Sequence, residues 1–361
     1  MERRVSDYLF DPRLAHARTP PAEWYSDPRV LRREQERVFA RTWQLVGRAE
    51  QLAEPGQFFT ATVAGEPLMV VRGEDDVLRA LSNVCRHRAG PVAEGCGTRE
   101  KFRCGYHGWS YALDGRLLAT PEWGGVEEFD REAHALPHFR VETWGGLVFV
   151  NLDVDAAPLA EALEDIPVRL ACRDLSSMKF ALRKDWLVEC NWKVYVDNYL
   201  EGYHIPVVHP SLNRELDYAE YRTETKTLYS IQHAPVRRER ATRIAKGEGD
   251  DEAQYFWLFP NLMLNVYPDN YSTNLIVPLS EERTLTVFEW YFAEPELEST
   301  REALRRTVEF SDEIQIEDIK ICEAVQRGLR SRTYSQGRYS VRRENGVHHF
   351  HGLLAEHLAR D

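Results

Sequence analysis

Two short stretches each set one thiol beside one imidazole: Cys85-Arg86-His87 and Cys104-Gly105-Tyr106-His107, joined by the sixteen residues from Arg88 to Arg103. Soft sulfur and borderline nitrogen in matched pairs form a metal-ligand set, since thiolates and neutral imidazoles are what zinc and iron-sulfur centres take. Zinc accepts Cys2His2, but its usual finger spacing puts both thiols in one turn and both histidines in another. One of each per turn suits a 2Fe-2S cluster with thiolates on one iron and imidazoles on the other. That His-for-Cys exchange raises the reduction potential well above plant-type ferredoxins. Glycines around the turns, Gly90, Gly95, Gly97, Gly105 and Gly108, allow close approach of backbone amides to sulfide.

A second constellation lies in the run from Asn191 to Pro210, which holds Asp197, Asn198, Glu201, His204, Pro206 and His209. Proline breaks the helix between the two imidazoles, so both can converge on one metal from a helix-to-loop turn. With one distant carboxylate they make the two-His-one-carboxylate face that leaves positions open for oxygen and substrate. Taken alone, H-x4-H is equally the pattern of two satisfied core or surface histidines. The candidates for the carboxylate are Asp312, Glu313, Glu317 and Asp318. With Leu304, Val308, Ile314, Ile321 and Val325 marking an apolar stripe, Asp318 stands i+4 from Ile314 and i−3 from Ile321, which favours it.

These residues need elements to hold them. The segment 27–39 opens with Asp27 and Pro28, a capping residue before proline at the first helical position, and reads as an amphipathic helix. From 43 to about 153, short β-rich runs (58–63, 67–72, 78–84, 147–151) are punctuated by Gly and Pro, the pattern of a small all-β module. After Pro158 come a short helix and a helical stretch over 192–203. Strands follow at 223–232, 254–267, 270–277 and 283–293, which in this order pair antiparallel. The charged segment 237–252 reads as a surface loop, and a long helix is expected over 302–330.

The stretches Asn83-Val84-Cys85-Arg86-His87-Arg88 and Cys104-Gly105-Tyr106-His107-Gly108-Trp109 resemble the cluster-binding loops of the Rieske family, a likeness covering about residues 43–153. Cys96 has no matching cysteine in the other loop, so the inter-loop disulfide of respiratory Rieske proteins is absent and the likeness is to the oxygenase branch. The run 191–210 is similar to that branch's mononuclear-iron motif, and Glu317-Asp318 followed by Cys322-Glu323-Ala324-Val325-Gln326 resembles its C-terminal ligand segment. The resemblance implies an α+β chain. An N-terminal helical segment (1–42) would pack on the catalytic domain, an all-β Rieske domain (43–155) would follow, and a helix-grip, START-like catalytic domain (156–361) would carry an antiparallel sheet and the long C-terminal helix. It also implies one 2Fe-2S cluster on Cys85, His87, Cys104 and His107, and one mononuclear Fe(II) on His204, His209 and Asp318. Glu201 would bridge electron flow between centres, with Asp197 as fallback and Asn198 beside them as a further catalytic candidate. In that family the cluster of one subunit serves the iron of its neighbour in a homotrimer.

No G-x-G-x-x-G fingerprint appears, so electrons must come from NAD(P)H through a separate reductase. Arg86, Arg88, Arg99, Lys101 and Arg103 form a local basic patch that could steer such a donor. Trp24-Tyr25-Ser26-Asp27-Pro28, Gln326-Arg327-Gly328-Leu329, Gly337-Arg338-Tyr339 and His348-His349-Phe350-His351 extend the resemblance to the branch that oxidises choline, betaines and carnitine. Its substrates are small molecules hydroxylated, with O2, next to nitrogen. An aromatic or other cyclic substrate is the alternative, because one fold hosts many chemistries. Aromatics crowd residues 255–292, and a subset facing the iron would cage a quaternary ammonium. Phe288, Trp290 and Phe292 share one strand face with Tyr291 on the other, and the pattern leaves open which face sees the metal. The three tail histidines read as packing or surface residues.

Length and charge exclude other classes. A Rieske ferredoxin-type electron carrier would need only the β module, whereas a C-terminal half that binds ligand without iron is a separate alternative. A net charge of −12 over 361 residues opposes nucleic-acid binding, which runs on phosphate neutralisation. No run of eighteen apolar residues could span a membrane, and Met1 to Asp11 has no apolar export segment, so a cytoplasmic location is the expectation.

Overall fold

Short alternating runs between glycine turns become strands throughout the segment Phe39–Glu161. The computed structural model describes residues 8–237 and 253–360. Beyond Arg237, the expected 237–252 loop lies outside the described residues. Two compact units divide the chain: Phe39–Glu161, and the described parts of Met1–Val38 together with Ala162–Asp361.

The smaller unit has β1 (Gln44–Arg48), β2 (Gln57–Val63), β3 (Glu66–Arg72), β4 (Leu78–Ser82), β5 (Cys96–Thr98), β6 (Phe102–Arg103), β7 (Ser110–Tyr111), β8 (Leu117–Ala119), β9 (His138–Trp144) and β10 (Leu147–Asn151). They form an antiparallel sheet in the order β1-β10-β9-β4-β3-β2-β5 and a three-stranded sheet β6-β7-β8. Two hairpins turn on two residues with φ > 0, Ala64-Gly65 and Gly145-Gly146, the primed-turn geometry whose twist matches the flanking strands. β3 is buried on both faces: Leu68 and Val70 enter one apolar cluster, Met69 and Val71 the other. The second cluster also takes in Cys85 and Cys104, so the two thiols are seated in packed core.

The larger unit is built on a seven-stranded antiparallel sheet: β11 (Lys179–Val188), β12 (Arg222–Thr225), β13 (Tyr229–His233), β14 (Gln254–Leu258), β15 (Leu262–Val266), β16 (Asn270–Ser280) and β17 (Arg283–Phe292), in the order β11-β17-β16-β15-β14-β13-β12. The expected strands 223–232 and 254–267 are each a hairpin of two strands, the second turning at Phe259-Pro260-Asn261, where proline has no N–H to give a ladder. Besides the short helices Leu159–Leu163 and Ile166–Arg169, the α-helices are α1 (Pro28–Arg37), α2 (Trp192–Tyr199), α3 (Ile205–Val208), α4 (Pro210–Glu215), α5 (Glu298–Leu329) and α6 (Asn345–Ala359). Asp27 caps α1 by accepting from Arg29 N at 2.8 Å, and Asn191 caps α2 by accepting from Lys193 N at 3.0 Å. Each such cap is worth about 1 kcal/mol.

On α5 the buried side chains are Val308, Gln315, Cys322 and Gln326, while Val325, expected inside, is 44% exposed. Past Val308, which is buried as expected, the buried stripe therefore runs one position on from the apolar one read in the sequence. Two glutamines replace apolar residues on it because each has a polar partner: Gln315 Oε1 accepts from the Tyr195 hydroxyl, and Gln326 Oε1 from Asn191 N at 2.9 Å. Asp318 lies between Gln315 and Cys322 on this inward face. No helix among the described residues is long and apolar enough to cross a membrane.

Candidate active site

The two thiol–imidazole turns are built alike. Ala89 N donates to Cys85 O at 3.0 Å, and Gly108 N donates to Cys104 O at 3.0 Å. The closing residue has positive φ in both, 56° at Ala89 and 74° at Gly108. Asn83 stitches the first loop, its Oδ1 accepting from Val92 N (3.0 Å) and Ala93 N (2.8 Å). Tyr111 OH accepts from Arg86 N at 3.0 Å and lies 3.3 Å from Cys85 Sγ. Two turns of one geometry thus present Cys85 and Cys104 inward, both buried, and His87 and His107 outward with ring centroids 4.5 Å apart.

This arrangement fits a 2Fe-2S cluster. His87 Nδ1 is buried without a hydrogen-bond partner, although its ring is held flat against Trp109 at 5.0 Å. Desolvation, then the neighbouring His107 and Arg88, keep His87 below its ordinary imidazole pKa, which favours the neutral form a metal takes. A methyl group on Gly90 would stand 3.1 Å from Cys104 Sγ, so glycine leaves the space around sulfur. Arg86, Arg88, Arg99, Lys101 and Arg103 are all exposed on this unit.

The second set assembles in the larger unit. His204, His209 and Asp318 offer ligand atoms that all lie within 4.8 Å of one another. His204 ends the turn after α2, and His209 stands between α3 and α4, with Pro206 and Pro210 enforcing the breaks. Each imidazole is fixed by a carboxylate on its Nδ1. His204 Nδ1 donates to Glu201 Oε1 at 2.5 Å, and His209 Nδ1 donates to Glu317 Oε2 at 2.7 Å. A carboxylate only accepts, so both Nδ1 atoms carry the proton and both Nε2 atoms face Asp318 Oδ1, at 3.7 Å from His204 and 3.0 Å from His209. Asn198 Nδ2 donates to the same Asp318 oxygen at 2.6 Å. His209 Nε2 donates to Asp318 Oδ1 at 3.0 Å, a proton that a metal ion would displace; two Nε2 atoms and a carboxylate converging on one point fit a divalent metal with open positions.

Glu201 also accepts from Tyr203 N and His204 N, so one carboxylate shapes the turn and orients the ring. Asp197 does not reach His204. Its oxygens meet Tyr25 OH at 2.9 Å and His351 Nε2 at 2.9 Å, and the Tyr339 hydroxyl lies 2.7 Å from His351 Nδ1. His351 is thus a packed, hydrogen-bonded core residue of α6.

A cavity of about 390 Å³ opens on the triad. Phe288 and Trp290 line it, which settles the facing of β17, and Tyr291 stacks on Tyr271 on the other side at 4.4 Å. Tyr255 and Tyr267, in edge contact at 5.9 Å, form a further wall. Tyr199 and Tyr221 also line it and fall outside the aromatic-rich segment. Burial raises all four phenols above their ordinary pKa, so the walls are neutral ring faces. A Cβ on Gly202 would meet the Tyr221 ring at 2.7 Å, so the absence of a side chain there lets Tyr221 close the wall. No signal in the local sequence marked Tyr221, whose place depends on the chain returning past Gly202.

Residues 170–360 match the catalytic domain of the ring hydroxylating alpha subunit family, and residues 42–130 match the Rieske [2Fe-2S] domain. A chloroplastic choline monooxygenase of Arabidopsis thaliana is 36% identical over 97% of this chain and 85% of its own length. A carnitine monooxygenase oxygenase subunit of Acinetobacter pittii is 33% identical over 99% of each chain. A solved quaternary ammonium Rieske monooxygenase, described for carnitine oxidation and inter-subunit electron transfer, aligns with a TM-score of 0.87 at 31% identity, over 98% of this chain and 99% of that one.

Proposed function

This chain belongs to the ring-hydroxylating alpha-subunit family of Rieske oxygenases, and we propose that Cys85, His87, Cys104 and His107 hold its cluster while His204, His209 and Asp318 hold its catalytic metal. It is a Rieske-type non-haem iron monooxygenase with one 2Fe-2S cluster and one mononuclear iron. Its substrate is a quaternary ammonium compound of the choline, betaine or carnitine kind, hydroxylated at a C–H bond next to nitrogen. The observation that carries this reading is a cavity walled by neutral aromatic rings and opening directly on the His-His-Asp triad. Ring faces attract a cation that cannot form hydrogen bonds, which replaces its hydration at little loss.

When bound, the cluster supplies single electrons and the mononuclear iron activates dioxygen. The protein's own residues prepare the place. Glu201 and Glu317 hold the Nδ1 protons, which fixes both imidazoles as Nε2 donors. Asn198 orients Asp318. The aromatic walls hold the substrate's ammonium and exclude water, so that a methyl or methylene group faces the metal. The product is an aldehyde hydrate, or an N-demethylated amine with formaldehyde.

Electrons arrive from a separate NAD(P)H-dependent reductase, which the exposed basic side chains around the cluster loops would attract. Glu201, bonded to His204 Nδ1, would lie on the route by which the cluster of a neighbouring protomer in a homotrimer would supply an electron to this site, in keeping with the inter-subunit transfer described for the solved relative. The test is oxygen uptake and product analysis with choline, glycine betaine, carnitine and simple aromatics, using a surrogate reductase. Turnover of a quaternary amine is expected, and turnover of aromatics alone would overturn the reading.

A further inference from the structure

We infer that the cavity selects a zwitterion, a quaternary amine whose carboxylate is several carbons from nitrogen, and that Arg306 is the residue that reads the carboxylate. The inference rests on the quaternary-ammonium reading above and narrows it to one substrate class.

The cavity has a polarity along α5. Asp318, at the metal end, and Arg306 both line it, with Phe310 and Ile314 between them on the same helix. Twelve residues of helix separate the two ends by ~18 Å along the axis. Phe310, Tyr221, Tyr255 and Tyr267 all pack against the apolar cluster of Ile205, Leu216 and Ala234 and all line the cavity, and Phe310 stands between Asp318 and Arg306 on α5, so the aromatic section lies between the metal end and the arginine end. Arg306 is the one Lys or Arg side chain among the described residues lining the cavity. It is 64% exposed, which puts its guanidinium at the mouth. Its Nη1 donates to Glu302 Oε1 at 2.9 Å, and the fork has five N–H groups in all, enough to take a second carboxylate.

The negative groups are distributed to match. Glu201 and Asp318 line the metal end. Asp269 is exposed at the cavity lining, with Oδ1 accepting from Asn270 Nδ2 at 2.8 Å. A trimethylammonium group in the aromatic section, with a methyl toward the triad, directs the rest of the molecule toward Arg306. A carboxylate there gains a charge-assisted bond, whereas an alcohol of net positive charge gains none and meets a like charge at the entrance. The span between the ends favours a spacer of several carbons over the single methylene of glycine betaine.

The test uses the holoenzyme with a surrogate reductase and compares kcat/KM for choline, glycine betaine and a trimethylammonium carboxylate with three methylenes. Binding of each to the anaerobic holoenzyme is measured by calorimetry. The wild type is expected to prefer the long zwitterion. In R306Q the ratio of its kcat/KM to that of choline should fall by about 10- to 100-fold, mainly through KM and Kd, with partial rescue in R306K. Turnover of quaternary amines with choline preferred, or with the same ratio in R306Q as in wild type, overturns this inference and leaves the proposed function standing. If no quaternary amine is bound or oxidised, both fall together.

Discussion

Glu317 and Asp318 are adjacent in sequence and do different work at the metal end of the cavity. Asp318 Oδ1 faces both Nε2 atoms, while Glu317 Oε2 accepts the Nδ1 proton of His209. A carboxylate behind an imidazole fixes its tautomer and raises its basicity, so Glu317→Gln should weaken iron binding by about 10- to 100-fold. Titration of metal-depleted protein with Fe(II) under anaerobic conditions checks this; an affinity equal to wild type would remove Glu317 from the site. Gly202 permits a single contact, the approach of the Tyr221 ring. Gly202→Ala should displace that ring and raise KM for the preferred amine severalfold, and an unchanged KM would show that Tyr221 does not touch substrate. The ligand candidates were legible because each thiol–imidazole pair and the two triad histidines are local in sequence. Tyr221 was not, because its role arises only when the chain folds back on Gly202.

At the scale of elements, α1 and α2 are joined by a fully buried ion pair. Lys193 Nζ lies 2.7 Å from Glu34 Oε1, both side chains having no exposure. Glu34 Oε2 accepts from Trp192 Nε1 at 2.8 Å, and the Lys193 ammonium lies over the Tyr25 and Trp192 rings at 5.2 and 5.5 Å. Burial lowers the Lys193 pKa, with Glu34 opposing the shift. Lys193→Met leaves a carboxylate without its cation and should destabilise the protein by about 3–5 kcal/mol, most of it recovered in the double variant with Glu34→Gln. Urea denaturation of both variants decides, and a single variant as stable as wild type would show that the pair contributes no support. The start of α1 was readable from Asp27-Pro28. The inward face of α5 was not, because Gln315 and Gln326 are buried through polar partners on other elements, a choice that an apolar-stripe argument cannot see.

For the whole molecule, acid should loosen the larger unit through its paired carboxylates. The Tyr229 hydroxyl and then Arg169 hold Asp165 below its ordinary 3.8, and Arg330 holds Glu282 below 4.5. A carboxylate lowered in the folded state binds fewer protons there than when unfolded, so its contribution is complete above those ordinary values. It is lost as pH falls through the lowered ones. Urea midpoints should hold steady down to about pH 5 and decline below about pH 4, with a shallower decline in D165N/E282Q; equal slopes would contradict the assignment.

Two kinds of iron centre, held by separate residues of one chain, are what the proposed chemistry requires. Iron and sulfide analysis, with the visible spectrum, of anaerobically reconstituted wild type and H204A tests it most directly. About three irons per chain are expected in wild type, and about two in H204A with the cluster spectrum intact. About two irons in wild type, or a bleached spectrum in H204A, would contradict it.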